Sequence, residues 1–522
     1  MSDECYISQK MEKKHFYHLY GYKMPFGKEC IKVGCRSSLA ALTRSASIAG
    51  KYVGIYITGS LYSVNINGVK YVDYNGNFFD ESWNEMFDSL VNSTEIIATL
   101  DKIIRNNTNY RSHKEIQAKI LLAIDNRPSS EEIQQRITET LSNLDAEITI
   151  HSYGICTFPE FVYLIKKSNM TGELHTNDYL EQLVEKTREL QQLTGNNIYF
   201  SVDTGNGTIL KHLKELNKTA DLFVEILNPP NGVVAEKCGV EHVFTTKKQP
   251  QNMYSSLLSV TFDSDADSLL FYKTCNNNTR IYNGNNICTF LALFIQKCCR
   301  RMKLKMMLVL SKLCPGSCLN FLHSKGFKIV YSPPGVKNFI EAARNYEIAV
   351  MWEPKGHGSV LFSAESKARL EKGGMYLFKE EYPEMKKDQR IMQCLSTIFS
   401  QNCTDGLANF LVMKSLLYSH FDLNLYQESF TRSLTVKIAA DIIIDQDVVI
   451  SPPNIQREIN YYKKHYPGKV FLRASLTLEH TVRVFTEALN EEHCDKLALH
   501  VAQLVYDNCD GHGEYPEITY NE

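Results

Sequence analysis

The sequence lacks any hydrophobic run long enough to cross a membrane. Its longest apolar segments, near 287–295 and 306–310, are shorter than the roughly 20 residues that a spanning helix needs. It also lacks an apolar leader, because the first residues, Met1 to Cys5, are polar and acidic, which predicts no signal peptide. We therefore expect a cytoplasmic protein with no membrane partner.

Neither sign of charge is in excess. Lys and Arg number 57 and Asp and Glu 59, for a net charge of −2, so the composition predicts no nucleic-acid partner. The 15 cysteines include no CxxC pair with zinc-like spacing, and we interpret them as reduced thiols in the core. With 522 residues, the chain is expected to form about three to five domains.

Strand-like and helix-like segments alternate along the chain, which predicts α/β layers. The asparagine-rich segment 276–286 is interpreted as a loop near a domain boundary. Predicted strands cover 52–58, 118–124, 146–155, 197–202, 327–331, 348–352, 435–438, 470–473 and 481–487. Predicted helices cover 131–144, 179–194, 210–216, 287–302, 407–417 and 493–506.

Three aspartates, Asp263, Asp265 and Asp267, follow an apolar run at a spacing of two. In an extended backbone alternate side chains point the same way, so the three carboxylates can converge. Like charges this close need a cation, and hard oxygen ligands favour Mg²⁺ or Ca²⁺. An EF-hand is excluded, because Ser268 and Thr274 stand where Gly and Glu are required. A solvated loop is the alternative to a divalent-metal site.

Ser60 follows Gly59 at the end of a predicted strand. A tight bend there would expose its hydroxyl, which suits a nucleophile or a phosphate carrier. Lys70 follows the next turn and is a candidate base or phosphate ligand. The alternatives are an ordinary turn serine and an exposed lysine on an edge strand.

A glycine-flanked segment, Glu353 to Gly358, follows another predicted strand. Its glycines would let the backbone approach a ligand closely. Glu353 could accept bonds from two sugar hydroxyls, and Lys355 could donate to an oxygen. The alternative is a glycine-rich turn with a surface histidine.

The last candidate segment lies near the C-terminus and contains one arginine and two residues with hydroxyl side chains. Together with free backbone amides these groups would form a phosphate cradle, which Arg483 on the next predicted strand would complete. The alternative is an ordinary strand-to-loop segment with surface arginines. The residues of this candidate cradle are Arg473, Ala474, Ser475, Leu476 and Thr477.

In this chain order, the four segments resemble the α-D-phosphohexomutase superfamily in its phosphoacetylglucosamine mutase branch. The likeness also includes 67–73, 238–243, 249–251, 335–337 and 353–363, and it spans about Tyr20 to Asn508. It implies a four-domain α/β architecture around a central cleft, with three related α/β domains and a smaller C-terminal α+β phosphate-binding domain. The implied boundaries are 1–168 with the serine loop, 169–282 with the metal loop, 283–415 with the sugar loop, and 416–522.

The resemblance also implies an activity. The protein would interconvert N-acetylglucosamine 6-phosphate and N-acetylglucosamine 1-phosphate in UDP-N-acetylglucosamine biosynthesis. The reaction would pass through a phosphoserine at Ser60 and a sugar bisphosphate, which also serves as primer. The only partner would be the N-acetylhexosamine phosphate substrate, and the chain would be a monomer or weak dimer.

The resemblance assigns a role to each candidate residue. One Mg²⁺ per subunit would be held by the three aspartates and the phosphoserine oxygen, and Lys70 would shuttle a proton. Arg483 and the residues from Arg473 to Thr477 would grip the phosphate that is not transferred. The sugar loop would consist of Glu353, Pro354 and Lys355.

The sequence departs from the family pattern at several of these loops. The family's His and Asn after the serine are absent, since Leu61 and Tyr62 follow Ser60. In the metal loop Ser264 replaces a Gly, a permissive backbone position, and Ser268 replaces an Arg, a cation. Two alternatives therefore stay open: a catalytically impaired sugar-phosphate-binding paralogue, and a mutase for another hexose phosphate.

Overall fold

The computed structural model divides into two compact units, which are described separately. One contains residues up to Ser311 together with Lys328–Leu423, and the other contains Lys312–Phe327 and the chain from Asn424. No helix in the described ranges is long and apolar enough to span a membrane. The residues that the structure describes are 22–174, 178–196, 198–219, 222, 224–228, 232–251, 258–276, 278–372, 383–400, 402–417, 423–445, 448–474 and 481–517.

The first sheet of the larger unit has five strands and packs against helices on both faces. Its strands are β1 (Tyr22–Pro25), β2 (Tyr52–Ile57), β3 (Ile66–Val72), β4 (Gln117–Ile124) and β5 (Glu147–Ile155). Its helices are α1 (Lys28–Ser47), α2 (Asn84–Asn92), α3 (Ile96–Asn107), α4 (Pro128–Ser142) and α5 (Phe158–Thr171). The order is β1-β3-β2-β4-β5, with β2, β4 and β5 parallel and β3 and β1 antiparallel.

Helix α1 was not predicted from the sequence, although it is the most central helix of this sheet. It contacts β4 and the helices α2, α3 and α4, so nearly all of its faces are buried. A helix buried all round shows no polar face, and its amphipathic pattern is therefore weak. Helix α4 begins three residues before its predicted start, because Pro128 is compatible with the first helical turn.

The second sheet has the order β10-β9-β8-β6-β7. Strands β6, β7 and β8 are parallel, and β9 and β10 are antiparallel additions. Its strands are β6 (Phe200–Asp203), β7 (Val224–Ile226), β8 (Ser259–Phe262), β9 (Leu269–Cys275) and β10 (Asn278–Tyr282). Its helices are α6 (Tyr179–Thr194), α7 (Leu210–Thr219) and α8 (Gly239–Thr246).

The third sheet has the order β12-β11-β13-β14, with β14 antiparallel to the other three strands. Its strands are β11 (Met306–Ser311), β12 (Ile329–Ser332), β13 (Ile348–Trp352) and β14 (Gly358–Phe362). The helices in this part of the chain are α9 (Gly284–Met302), α10 (Gly316–Ser324, in the other unit), α11 (Val336–Ala343), α12 (Ala364–Glu371), α13 (Pro383–Ile398) and α14 (Gly406–Leu416).

From Asn278 onward the asparagine-rich segment is mostly regular structure, so its interpretation as a loop is wrong there. It supplies β10 and the first turn of α9. Asn283 caps that helix, because its side chain accepts from the Asn285 amide at 2.8 Å while Asn286 Oδ1 accepts from the Asn283 amide at 2.9 Å. Asparagine is favoured at this capping position as well as in turns, and here the cap prevails.

The smaller unit is an α+β domain. Its strands are β15 (Phe430–Lys437), β16 (Ile443–Asp445), β17 (Val448–Ser451), β18 (Lys469–Ala474) and β19 (Thr481–Ala488), and its later helices are α15 (Pro453–His465) and α16 (Glu491–Asn508). The sheet β15-β19-β18 is antiparallel, and β16 pairs with β17 alone. Its core contains Leu472, Val484 and Val501. The predicted α/β class with a smaller α+β domain is confirmed.

One connection recurs in all three sheets of the larger unit. In each sheet a strand of the parallel set leads through a short loop into its antiparallel neighbour: β2 into β3, β8 into β9, and β13 into β14. The three loops are 58–65, 263–268 and 353–357. They carry Ser60, the three aspartates and the glycine-flanked segment, so three of the four candidate sites lie at equivalent places in three similar sheets.

Candidate active site

Ser60 lies on a strained bend after β2. Its φ of 51° is in the left-handed region, which non-glycine residues rarely adopt, and its amide donates to Thr58 Oγ1 at 2.8 Å. A Cβ on the preceding Gly59 would lie 2.2 Å from the Ile66 carbonyl oxygen, so only glycine fits there. The predicted tight bend is present, but the hydroxyl is not exposed. Ser60 is 2% exposed, and its Oγ lies 3.2 Å from Asp263 Oδ2.

The three aspartates are buried, so the solvated-loop alternative is wrong. Asp263, Asp265 and Asp267 are 2%, 0% and 4% exposed. A hydrogen bond within the loop holds it closed, because the Ser268 amide donates to the Asp263 carboxylate oxygen Oδ1 at 3.1 Å. The left-handed residue of this loop is Ala266, with φ of 60°, and Ser264 has no positive φ. The substitution of Gly by Ser264 therefore costs no backbone strain.

Lys70 pairs with two of these carboxylates. Its Nζ lies 2.6 Å from Asp265 Oδ2 and 2.7 Å from Asp267 Oδ2, and 4.3 Å from the centre of the Phe158 ring. The interpretation as an exposed edge-strand lysine is wrong, because β3 lies between β1 and β2 and Lys70 is buried.

The charged groups of this cluster shift one another's pKa values in different directions. Burial alone would lower the pKa of Lys70, but Asp265 and Asp267 outweigh it and raise that pKa above the ordinary value. Burial and repulsion by Asp267 and Asp265 raise the pKa of Asp263 well above its usual range. For Asp267, burial is outweighed by Lys70 and His357, which hold its pKa well below that range. Lys70 is therefore a cation, and Asp263 is the carboxylate left short of positive charge.

Lys23 on β1 is a second cation near the cluster, and sequence reasoning missed it. Its Nζ lies 5.7 Å from the centre of the Tyr62 ring. Burial and repulsion by Lys70 lower its pKa to about 8, against the opposing attraction of the aspartates. A positive charge is thus present although Ser268 stands where the family carries an arginine.

His357 belongs to the same cluster. Its Nε2 lies 3.0 Å from Asp267 Oδ1, and its Nδ1 lies 3.9 Å from Glu353 Oε2. It is buried, so the interpretation as a surface histidine is wrong. The feature of the sequence that indicated this close packing is the pair of glycines on either side of His357. A Cβ on Gly356 would lie 2.0 Å from the Leu269 carbonyl oxygen, and one on Gly358 would lie 2.0 Å from the Trp352 indole.

The glycine-flanked loop is anchored at each of its predicted sugar-binding residues. Glu353 Oε1 accepts from the Gly335 amide at 2.6 Å, and the Pro354 carbonyl accepts from the Gly284 amide at 3.0 Å. Lys355 Nζ lies 2.5 Å from Glu241 Oε2. His357 lies between Asp267 and Glu353, so this loop and the metal loop meet at the histidine.

The donor set of the cluster fits a divalent cation. Asp263, Asp267 and His357 offer ligand atoms that all lie within 4.8 Å of one another. Asp265 Oδ1 is buried and has no hydrogen-bond partner among the residues that the structure describes. A buried carboxylate oxygen without a partner is costly, and a hard cation such as Mg²⁺ would satisfy it.

A second polar network, which sequence reasoning missed, lies behind Ser60. Arg127 and Asp125 form a fully buried ion pair. The Arg127 guanidinium donates to the Ser264 hydroxyl at 2.7 Å and to the Ser60 carbonyl at 3.1 Å, and the Ser264 hydroxyl donates to the same carbonyl at 2.8 Å. Nothing local in the sequence shows that two distant loops meet at this ion pair.

The predicted phosphate cradle lies in the smaller unit and is described in part. Arg473 and Arg483 are directly opposite each other on β18 and β19, so both side chains leave the same face of the sheet. Like charges in this arrangement repel, and a bound anion would relieve the repulsion. The backbone of Ala474 ends β18. Ser475, Leu476 and Thr477 lie outside the described residues.

Comparisons with known proteins agree with one another. Residues 283–421 match the family model of phosphoacetylglucosamine mutase AMG1, domain III. A probable phosphoacetylglucosamine mutase of Encephalitozoon cuniculi is 34% identical, over 98% of this chain and 97% of that protein.

Two solved structures share the fold. An N-acetylglucosamine-phosphate mutase of the α-D-phosphohexomutase superfamily, in its substrate complex, has a TM-score of 0.86 at 25% identity and covers 97% of this chain and 100% of its own. The Aspergillus fumigatus N-acetylphosphoglucosamine mutase, in complex with GlcNAc-6P and magnesium, has a TM-score of 0.84 at 24% identity. The match covers 95% of this chain and 96% of that one.

Proposed function

Because this chain belongs to the phosphoacetylglucosamine mutase family, we propose that it is an isomerase that interconverts N-acetylglucosamine 6-phosphate and N-acetylglucosamine 1-phosphate. The observation that supports this most strongly is the contact of Ser60 Oγ with Asp263 Oδ2 at 3.2 Å. It joins a candidate phosphoryl carrier to a buried carboxylate cluster, which is the arrangement that phosphoryl transfer needs.

Ser60 carries the phosphoryl group in this proposal. The Oγ–P bond of the phosphoserine breaks, and a new O–P bond forms at the free hydroxyl of the substrate, whose proton ends on Ser60 Oγ and restores the serine hydroxyl. The resulting bisphosphate turns over, and its other phosphoryl group returns to Ser60.

Mg²⁺ would be held by Asp263, Asp265 and Asp267, together with the phosphoserine oxygen at Ser60, and would supply charge neutralisation at the transferred group. The unpartnered Oδ1 of Asp265 supports this ligand set. Lys70 supplies a fixed positive charge, since its Nζ is bonded to Asp265 and Asp267. Its role as a proton shuttle requires that it leave these carboxylates, and it stays a prediction.

The substrate is read by two further groups of residues in this proposal. Glu353 accepts sugar hydroxyls, with Pro354 and Lys355 completing the loop. The phosphate that is not transferred is bound by Arg473 and Arg483 with the segment Ala474 to Thr477. The opposed arginines on β18 and β19 support this assignment.

Several finer features belong to the same proposal. The domain boundaries would be 1–168, 169–282, 283–415 and 416–522. The protein would act in the cytoplasm as a monomer or weak dimer, without a nucleic-acid or membrane partner. Its product would enter UDP-N-acetylglucosamine biosynthesis, and a sugar bisphosphate would prime the enzyme.

An activity assay tests this function. Purified protein is given N-acetylglucosamine 6-phosphate, Mg²⁺ and glucose 1,6-bisphosphate, and formation of N-acetylglucosamine 1-phosphate is followed by phosphorus NMR. We expect turnover by the wild type and none by Ser60→Ala. Equal turnover by both proteins would overturn the role of Ser60.

The same assay separates the alternatives. Saturable substrate binding without turnover by the primed wild type would indicate an impaired sugar-phosphate-binding paralogue. Faster turnover of glucose 6-phosphate, in direct competition with the N-acetylated substrate, would indicate a mutase for another hexose.

A further inference from the structure

The serine at position 264 is a departure from the family pattern that the backbone does not require. The segment resembles one with a glycine there, yet Ser264 has no positive φ and is almost fully buried. Most buried hydroxyls in folded proteins make hydrogen bonds. What Ser264 bonds to therefore indicates what it does.

The Ser264 hydroxyl lies between the metal loop and the serine loop. It donates to the Ser60 carbonyl at 2.8 Å and accepts from Arg127 Nη1 at 2.7 Å. The Ser264 carbonyl accepts from the amide and the hydroxyl of Thr208, at 2.9 and 3.0 Å. The side chain and the backbone carbonyl of Ser264 are thus both hydrogen-bonded, and the hydroxyl connects two segments that are 204 residues apart in sequence.

The partners of this hydroxyl are themselves fixed. The Arg127 amide donates to Asp125 Oδ1 at 3.0 Å, and Ser130 Oγ donates to the same oxygen at 2.7 Å. Thr58 Oγ1 donates to Asp125 Oδ2 at 2.8 Å and accepts from the Ser60 amide. The Ser60 backbone is thereby held on both its amide and its carbonyl side.

We propose that Ser264 is a positioning residue that fixes the Ser60 loop against the metal loop, and this inference rests on the phosphoryl-transfer function proposed above. The left-handed conformation of Ser60 costs free energy, so surrounding bonds must impose it. Transfer also depends on placement, because an error of about 1 Å can cost ~100-fold in rate. The hydroxyl of Ser264 supplies a bond that a glycine at this position cannot make.

The test compares Ser264→Ala and Ser264→Gly with Ser415→Ala. Ser415 is a matched control, because its hydroxyl is also buried and bonded to a backbone carbonyl, that of Leu411 at 2.7 Å, inside α14. Each variant is first checked for folding by thermal unfolding. Hydrogen exchange of peptides covering 58–65 and steady-state kinetics are then measured.

We expect kcat to fall about tenfold in both Ser264 variants, with KM within about twofold of the wild type, since one buried bond to a charged network is lost. Amide exchange in 58–65 should become about tenfold faster in both variants. Ser415→Ala should change neither quantity. Wild-type exchange in 58–65 together with wild-type kcat in folded Ser264 variants would overturn the proposal.

The two readouts also separate this inference from the proposed function. Hydrogen exchange needs no substrate, so faster exchange with an inactive wild type would refute the mutase activity and leave the positioning intact. The wild type could instead be active while the Ser264 variants lose kcat only in proportion to their loss of thermal stability. If amide exchange in 58–65 is then unchanged, the positioning role alone is refuted.

Discussion

Ser60 Oγ lies 3.2 Å from Asp263 Oδ2, although 203 residues separate the two in sequence. A phosphoryl group on that oxygen would add about −1.5 to −2 charges beside three buried carboxylates. Burial, together with repulsion by Asp267 and Asp265, already raises the pKa of Asp263. The phosphorylated site therefore needs a cation more than the free site does.

We accordingly expect metal affinity to depend on phosphorylation. Mg²⁺ should bind the phosphoserine form at least about tenfold more tightly than the dephosphorylated form, because a further anionic ligand is present. Isothermal titration calorimetry on the two forms measures this, with Ser60→Ala as a control that should match the dephosphorylated protein. Equal affinities in all three would show that Ser60 is not beside the metal.

Lys70→Met should make stability depend on divalent cation. The substitution removes the ammonium from Asp265 and Asp267 and leaves Asp265 without that cation and Asp267 with His357 alone, at a cost of about 3 kcal/mol or more. Mg²⁺ should restore part of this loss. Thermal unfolding with EDTA and with Mg²⁺ measures it, and Lys186→Met, on the half-buried pair with Glu189, is the control. A loss that is the same in both buffers would contradict this account of the cluster.

Gly358→Ala should be destabilising and should impair activity. A Cβ at this position would lie 2.0 Å from Cδ2 of the buried Trp352, and overpacking of this kind costs about 1–3 kcal/mol. The adjacent His357 would move with the displaced backbone. Chemical denaturation measures the loss.

The matched control for this substitution is Gly34→Ala in α1. The added Cβ there meets Ile133 at 3.4 Å, an ordinary contact, and alanine favours the helix. Its stability should be equal to or above that of the wild type. Similar stability of both variants would show that the first position of β14 tolerates a side chain.

The pH dependence of stability should report on Asp405, which caps α14. Burial raises its pKa to about 6, despite bonds from the Ala408 amide and Tyr179 that oppose the shift. Between about pH 4 and 6 the folded protein keeps a proton that the unfolded chain releases, so this residue's contribution falls as pH rises. Above about pH 6 it is unfavourable by up to ~3 kcal/mol.

Asp405→Asn tests this sign, because asparagine keeps the cap without the charge. The stability of the variant relative to the wild type should rise between about pH 4 and 6.5. Asp80→Asn is the control, since bonds from Ser82 lower the pKa of Asp80 and the relative stability should then not rise. A pH-independent difference for Asp405→Asn would contradict the raised pKa.

Much of the regular structure could be predicted from local sequence. Helix α6 and strand β13 coincide residue for residue with the predicted 179–194 and 348–352, because each shows a clear period or a short apolar run. Helices α1 and α5 were missed because most of their residues are buried, so neither shows the broad polar face of a surface helix.

The candidate site was predictable where one loop carries several chemical groups, as Asp263 to Asp267 does. Contacts between loops were not predictable. The bond of Lys70 to two aspartates, the place of His357 beside Asp267, and the clamp of Arg127 and Ser264 on Ser60 all join residues far apart in sequence. Such contacts are set by the arrangement of the three sheets of the larger unit and leave no local pattern.

Labelling of Ser60 tests the central claim most directly. The protein is primed with radiolabelled glucose 1,6-bisphosphate, the labelled residue is identified by mass spectrometry, and unlabelled N-acetylglucosamine 6-phosphate with Mg²⁺ is then added. We predict that the label is on Ser60 alone, and that it leaves the protein and appears in sugar phosphate when the substrate is added. A protein that takes up no label, or a label on Ser60 that the substrate does not discharge, would contradict the account.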